Sequence, residues 1–299
     1  MNLTLTTPRN RVTALALGLI LASYLSARIL EIVPTHFPRT AIVALDVLSA
    51  MAFALVDGAR HYRLRGILFF ASICIVVSNL VENLGVITGF PFGRYYFAEL
   101  MGPKLFHVPV LLSLAYIGMA YASWTLARLI VGDPYAPITG MRIVALPLVA
   151  SFIMTAWDLA QDPIWATVLH GWVWRDGGPW FGVPISNYLG WYGNVFTIYL
   201  LFALYLRRSQ APVILVPSSA FRPALFFYTF CAVGNVMQVF SQAVPTVVQD
   251  PTGKQWRVSD ITGASALVST FIMGAFVVIA WARLAEQKKS ATDFSHLRA

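Results

Sequence analysis

Eight runs of mainly apolar residues follow one another along this chain, at 12–32, 39–57, 66–88, 106–130, 141–161, 186–206, 221–244 and 262–284. Each is close to the ~20 residues that a helix needs to cross a bilayer core. Backbone in hydrocarbon must satisfy its own hydrogen bonds, so runs of this length point to a bundle of helices. The chain is 58% hydrophobic and only 11% charged, where a wet globular surface takes roughly a quarter charged residues. Much of its surface is therefore expected to face lipid. The expected fold class is all-α, a polytopic transmembrane bundle of about eight spans in a single membrane domain over 1–299, with a cytoplasmic tail at 285–299. The net charge of +8 does not indicate nucleic acid, because the basic residues cluster beside the spans and not along one soluble face. Arg9 and Arg11 flank a first run that reaches Leu30 with no small-residue cleavage site, the pattern of a retained helix and not of a signal peptide.

The basic residues also orient the spans. With the N-terminus in the cytoplasm, fourteen of the 21 Lys and Arg fall on the cytoplasmic side and seven on the other. That bias places both termini inside, in the cytoplasmic membrane. An odd number of spans would put the pair Arg207 and Arg208 opposite the cluster from Arg283 to Lys289, so eight is the consistent count. Two connections on the far side stand out. Residues 88–104 read TGFPFGRYYFAELMGPK and residues 162–186 read DPIWATVLHGWVWRDGGPWFGVPIS. Gly and Pro punctuate their aromatics so densely that each is expected to fold as a partly re-entrant lid, which only shielding from lipid makes tolerable. A weak echo at a fixed offset pairs Phe106-His107-Val108-Pro109-Val110 with Phe181-Gly182-Val183-Pro184-Ile185, and Glu82-Asn83-Leu84 with Trp157-Asp158-Leu159. Pro109 and Pro184 suit a first helical turn, and the echo suggests two helix–lid–helix units facing one cavity.

A charge at mid-bilayer costs at least about 2.5–3.5 kcal/mol on insertion scales, so each intramembrane ionisable residue needs a reason. Arg28 and Glu31 are three apart and can pair near a helix end. Asp46 has no local partner. Glu82, with Asn79 and Asn83, lies late in the third span. Asp158 and Asp162 are four apart, hence on one helix face. Asn187 and Asn194 lie on span six, and Asn235, Gln238 and Gln242 share a face of span seven. Any one of these could be interhelical glue, yet Glu82, Asp158 and Asp162 all gather beneath the two aromatic lids. An apolar, water-poor surrounding disfavours an ionised carboxyl, and an acid catalyst must hold a transferable proton. Nearby Trp and Tyr faces suit a cation formed beside them. His107 and His170 lack a third ligand at zinc-like spacing, so no metal site is expected. Cys74 and Cys231 lie in apolar runs as packing residues.

Residues 79–191 carry a resemblance. Gly89-Phe90-Pro91-Phe92-Gly93-Arg94-Tyr95-Tyr96, Gly102-Pro103-Lys104-Leu105 and Val108-Pro109 form one block. Thr155-Ala156-Trp157-Asp158-Leu159, Asp162-Pro163 and Gly182-Val183-Pro184-Ile185-Ser186-Asn187-Tyr188-Leu189-Gly190-Trp191 form a second. Together they resemble the carotenoid-biosynthesis membrane proteins, the carotenoid 1',2'-hydratases of the bisanhydrobacterioruberin hydratase type. The resemblance implies addition of water across the terminal C=C of an acyclic carotenoid or related polyprenoid, leaving a tertiary alcohol. A lipophilic substrate, water and membrane lipid are the implied partners; oligomeric state is left open. No cofactor is expected, and the chain offers neither a dinucleotide loop nor a P-loop. For that chemistry Asp158 is the expected proton donor, with Asp162 or Glu82 holding its proton or orienting water. Phe92, Arg94, Tyr95, Tyr96, Trp157, Asn187, Tyr188 and Trp191 are the expected substrate-binding residues.

Three rivals use the same residues. A proton-initiated terpene cyclase passes through the same cation and captures it with an internal alkene. A membrane prenyltransferase would need two Asp-rich motifs for magnesium and diphosphate, and only the pair Asp158 and Asp162 is present. A transporter or lipid-binding protein would use the carboxyls as a proton relay, but favours charges at mid-membrane on several helices, and these gather at one edge.

Overall fold

The computed structural model describes residues 8–209, 216–241 and 245–296. Gln242 and Arg298 lie outside the described residues. Among the described residues there are eight α-helices: α1 (Pro8–Leu30), α2 (Arg39–Thr88), α3 (Val110–Ile130), α4 (Arg142–Pro163), α5 (Ile185–Arg208), α6 (Arg222–Met237), α7 (Val258–Val268) and α8 (Gly274–His296). Among the described residues seven helical stretches are long and apolar enough to cross a membrane, α7 and α8 joining through a π turn into one of them. The protein is an all-α polytopic membrane protein.

The 50-residue α2 is two spans in one. Arg63 has φ 58° and ψ 168° inside it, and there the chain reverses. A Cβ on Gly58 would lie 2.4 Å from the Ile67 side chain, whereas nine residues of straight helix would separate them by about 13 Å. The arms before and after Arg63 match the expected spans 39–57 and 66–88, and they replace the expected loop between them by helix that runs almost to the turn.

α3 is the central helix. Trp124, Tyr116 and Tyr121 are fully enclosed in it, and it packs on α2, α4, α6 and α8. Small residues permit this approach, as at membrane helix crossings generally: a Cβ on Gly118 would come within 2.5 Å of Ala50 Cβ. The free thiols Cys74 and Cys231 are buried in the same apolar core.

Six short strands occupy the connections: β1 (Tyr95–Phe97), β2 (Lys104–Leu105), β3 (Val108–Pro109), β4 (Trp172–Trp174), β5 (Val247–Gln249) and β6 (Gln255–Arg257). Each pairs antiparallel, β1 with β4, β2 with β3 and β5 with β6. The pairing of β1 with β4 matters most, since it joins the segment after α2 to the segment after α4 across one end of the bundle. The register sets Tyr95 opposite Trp174 and Phe97 opposite Trp172.

Three expectations are corrected here. The second connection does not start at Asp162, because α4 runs through Pro163 and a π turn carries it to Val168. A proline there deprives the Leu159 carbonyl of its helical partner, and the Trp180 indole N–H donates to that carbonyl at 3.1 Å. Pro109 and Pro184 do not sit in a first helical turn but one residue before it, with ψ 133° and 149°. For Pro109 the reason is the β2–β3 hairpin, which holds that residue extended opposite Lys104. Span seven stops short of 244: α6 ends at Met237 and a 3₁₀ turn covers Gln238–Phe240. The sequence echo has a backbone counterpart, since Phe106 and Phe181 both take positive φ, 57° and 50°.

Candidate active site beneath the paired strands

β-strand alternation decides which aromatics of the roof face inward. Tyr95 and Phe97 are buried and Tyr96 between them is exposed, as a period of two requires. Trp172 and Trp174 come down from the partner strand. The roof is pinned to the helices by Phe92, whose ring docks between α2 and α5. A Cβ on Gly85 would lie 2.5 Å from that ring and one on Gly190 2.8 Å from it, so both helices must be bare of side chain at that point. On the outer surface Arg94 donates to Asp176 through Nε at 2.7 Å and also through Nη2, tying the two connections together. This hydrogen-bonded pairing holds the Asp176 carboxyl below its ordinary range.

Under the roof is a cavity of about 110 Å³. Three of the carboxyls that line it gather beneath the roof from two helices: Glu82 from the end of α2, and Asp158 and Asp162 one turn apart on α4. All three are buried. Glu82 accepts hydrogen bonds from the Tyr95 hydroxyl at 2.5 Å and the Tyr116 hydroxyl at 2.7 Å, one on each oxygen. Asp162 accepts from the Trp172 indole at 2.5 Å and from Asn187 Nδ2 at 2.6 Å, again one on each oxygen. Asp158 has a single, long contact, 3.5 Å from Asn187 Nδ2. Among the described residues no Lys, Arg or His forms an ion pair with any of the three. Trp157, Trp191, Trp172 and Trp174 complete the aromatic wall, with Trp191 stacked on Tyr116 at 4.7 Å.

Of the residues singled out from sequence, Glu82, Asp158, Asp162, Tyr95, Trp157, Asn187 and Trp191 meet around this one cavity. Phe92, Arg94, Tyr96 and Tyr188 are not part of its wall. Phe92 is spent on anchoring, Arg94 and Tyr96 face outward, and Tyr188 is enclosed with a hydroxyl that has no hydrogen-bond partner. Asn187 has its amide committed to the two aspartates. Sequence reading missed Trp172 and Trp174, although their spacing of two in Trp172-Val173-Trp174 is the signature of a strand with one aromatic face. It missed Tyr116 as well, which looks like any apolar-run tyrosine until Glu82 is beside it. The Arg28–Glu31 pair, with N···O 2.6 Å, does form, but Arg28 is buried and both residues line the far wall of the same cavity. Asp46 has no partner on its own helix, as expected; Arg28 Nη1 of the neighbouring helix lies 4.0 Å from its Oδ1, too far for a hydrogen bond.

The family model described as carotenoid biosynthesis protein matches residues 40–250. Over 112 residues the chain is 30% identical to bisanhydrobacterioruberin hydratase of Haloarcula japonica, a match that covers 37% of this chain and 36% of that protein. The aligned part is thus little more than a third of the relative's length. No solved structure gives a significant match.

Proposed function

This chain belongs to the carotenoid biosynthesis protein family, and from that premise we propose that it hydrates the terminal C=C of an acyclic carotenoid or related polyprenoid. The proton of a carboxylic acid adds to one alkene carbon and leaves a tertiary cation on the other. Water attacks that cation, a carboxylate takes the water's surplus proton, and the product is a tertiary alcohol. Alkene plus water equals alcohol, so the balance calls for no redox partner and no leaving group.

The observation that carries the reading is the unequal treatment of three carboxyls in one aromatic cavity. Glu82 and Asp162 each receive a hydrogen-bond donor on both oxygens, an arrangement that suits carboxylates. Asp158, with one contact at 3.5 Å, is free to carry the transferable proton and present it to substrate. Asp162, held in place one turn away, receives the proton of the attacking water, which restores the pair after proton transfer within the cavity. The faces of Trp157 and Trp191 stabilise the cation between the two steps. Pairs of carboxyls driven to different protonation states by their surroundings recur in acid–base enzymes.

Expression in a lycopene-making host tests this, with mass analysis of the pigments for a gain of one water. Product formed in heavy-oxygen water should carry the label in its hydroxyl, and in deuterium oxide one carbon-bound deuterium next to the alcohol carbon. Deuterium uptake without oxygen, at unchanged mass before labelling, would make the protein a cyclase. Unaltered pigment would remove the reading and favour a transporter or binding protein. We also place the protein in the cytoplasmic membrane with both termini inside. A reporter fused after Arg208 should then read cytoplasm and one near Asp176 the far side, and the reverse pattern overturns the orientation.

A further inference from the structure

The reaction chamber is small for the molecule it is proposed to act on. Its volume is about 110 Å³, against about 390 Å³ for the space beside it. A chain of tens of carbons does not fit, and conjugation keeps a polyene straight, so it cannot coil inside. The remainder of the substrate must leave the chamber along a direct path.

A second cavity, of about 390 Å³, adjoins the first. Its walls come from the connection between α1 and α2, including Pro34 and Phe37, from Ile42 at the start of α2, and from Ile164 and Leu169 around the π turn after α4, with the polar Arg39, Gln238 and Ser241 lining it as well. Glu31, Val43 and Trp165 belong to the walls of both cavities. The partition therefore includes these three residues. Glu31 sets no bare charge there, because its Oε2 lies 2.6 Å from Arg28 Nη1. Trp165 stacks on Trp172 with ring centroids 5.9 Å apart, and Trp172 in turn holds Asp162. One ring thus separates Trp165 from the Asp162 carboxyl. Trp165 takes this place inside a π turn, and such widened turns recur at functional sites. A competing route would pass between α2 and α3, where Leu111 and Ala115 line the chamber. That seam is shut further down, as Gly118 and Ala50 are in contact too close for a side chain.

We propose that the second cavity seats the shaft of a long, straight polyprenoid whose end group occupies the chamber, with Trp165 as the ring along which the shaft lies. The proposal rests on the reading of the chamber as the reaction site. It makes the substrate class a linear chain longer than the chamber, recognised by its end group and the stretch behind it. The distant end projects beyond the protein and goes unread. A chain with two reactive ends is then processed one end at a time.

Photo-crosslinking tests the placement without requiring turnover. The full-length protein in detergent, carrying benzoylphenylalanine at 169, at 111 or at the outward-facing position 201, is irradiated with lycopene. Pigment should attach at 169, beside the shaft, and at 111, beside the end group, in clear excess over 201. Labelling at 111 without labelling at 169 would take the shaft out of the second cavity, and equal labelling at all three would mean partition without a seat; either outcome overturns the proposal. A second measurement uses Leu169→Trp, which fills the second cavity and leaves the carboxyls untouched. Its kcat/KM for lycopene should fall at least about tenfold, the scale of an overpacked site. For a short hydrocarbon with the same isopropylidene end the value should stay within about twofold. Equal losses for both chain lengths would show a wall that merely supports the fold and sink the proposal. If the unsubstituted protein hydrates neither substrate, the reaction reading fails, while the crosslinking pattern still decides where the shaft lies.

Discussion

Asp57 and Asp158 are both buried aspartates of one helical bundle, and their surroundings differ in three respects. Asp57, toward the Arg63 end of the first arm of α2, is met by Arg60 at 2.8 Å, by the Tyr121 hydroxyl at 2.8 Å and by His61 at 3.8 Å. Basic groups, a full set of donors and close packing leave it nothing further to do. Asp158, toward the opposite end, has one contact at 3.5 Å, Glu82 and Asp162 around the same cavity, and space beside it. A buried charge is tolerated where it is paired and hydrogen-bonded. Where cations are withheld and a cavity is kept open, the bundle retains groups that packing alone would have satisfied or removed. Tyrosine hydroxyls serve both regions, since Tyr95 and Tyr116 donate to Glu82 as Tyr121 does to Asp57. The hydrogen-bonding chemistry is shared; the lack of a cation paired with Asp158 and the presence of a cavity distinguish the site.

Substitution at each end measures this contrast. Asp158→Asn keeps shape and removes the transferable proton, so turnover should drop at least about a hundredfold, the scale of general-acid catalysis. Membrane insertion should be normal, because a neutral amide is cheaper to bury than a charge. Near wild-type hydration by this variant would erase the distinction between the two ends. Glu82→Gln should reduce turnover by about tenfold, the worth of one hydrogen bond to a charged group. A complete loss there, beside an active Asp158→Asn, would transfer the donor role to Glu82. Asp57→Asn should leave turnover within about twofold while lowering the thermal midpoint, since Arg60 loses its partner at a cost of about 1–3 kcal/mol. An inactive but stable Asp57→Asn protein would show that the far end takes part in the chemistry. The smallest expected effect is that of EDTA: hydration should be unchanged, with no nucleotide added. Loss of activity on chelation, restored by magnesium, would turn the comparison toward prenyl transfer.

The lipid-crossing helices were legible because hydropathy over ~20 residues is a local property that the solvent reads directly. The break in α2 was legible as well, in the charged stretch around Arg60, Arg63 and Arg65. Glu82, Asp158 and Asp162 could be picked out one by one, because an ionisable residue in an apolar run needs a reason. Sequence could not say which face of the roof is inner. In Tyr95-Tyr96-Phe97 the choice is made by pairing with Trp172-Val173-Trp174 more than seventy residues away. Nor could it foresee that Pro163 would remain helical, since the compensating donor, Trp180, arrives from the next connection.

The amino-acid sequence by itself determined a membrane bundle, its succession of spans and the carboxyl groups available to it, because lipid imposes length and apolarity segment by segment. Only the tertiary structure decided that Arg28 and Glu31 reach the same cavity as Asp158, that both donors of the Asn187 amide are not free for water, and that Asp158 alone among the three keeps its oxygens largely unclaimed. Those outcomes depend on how each helix is rotated about its axis and how the connections pair, and these are set by contacts between residues far apart in the chain.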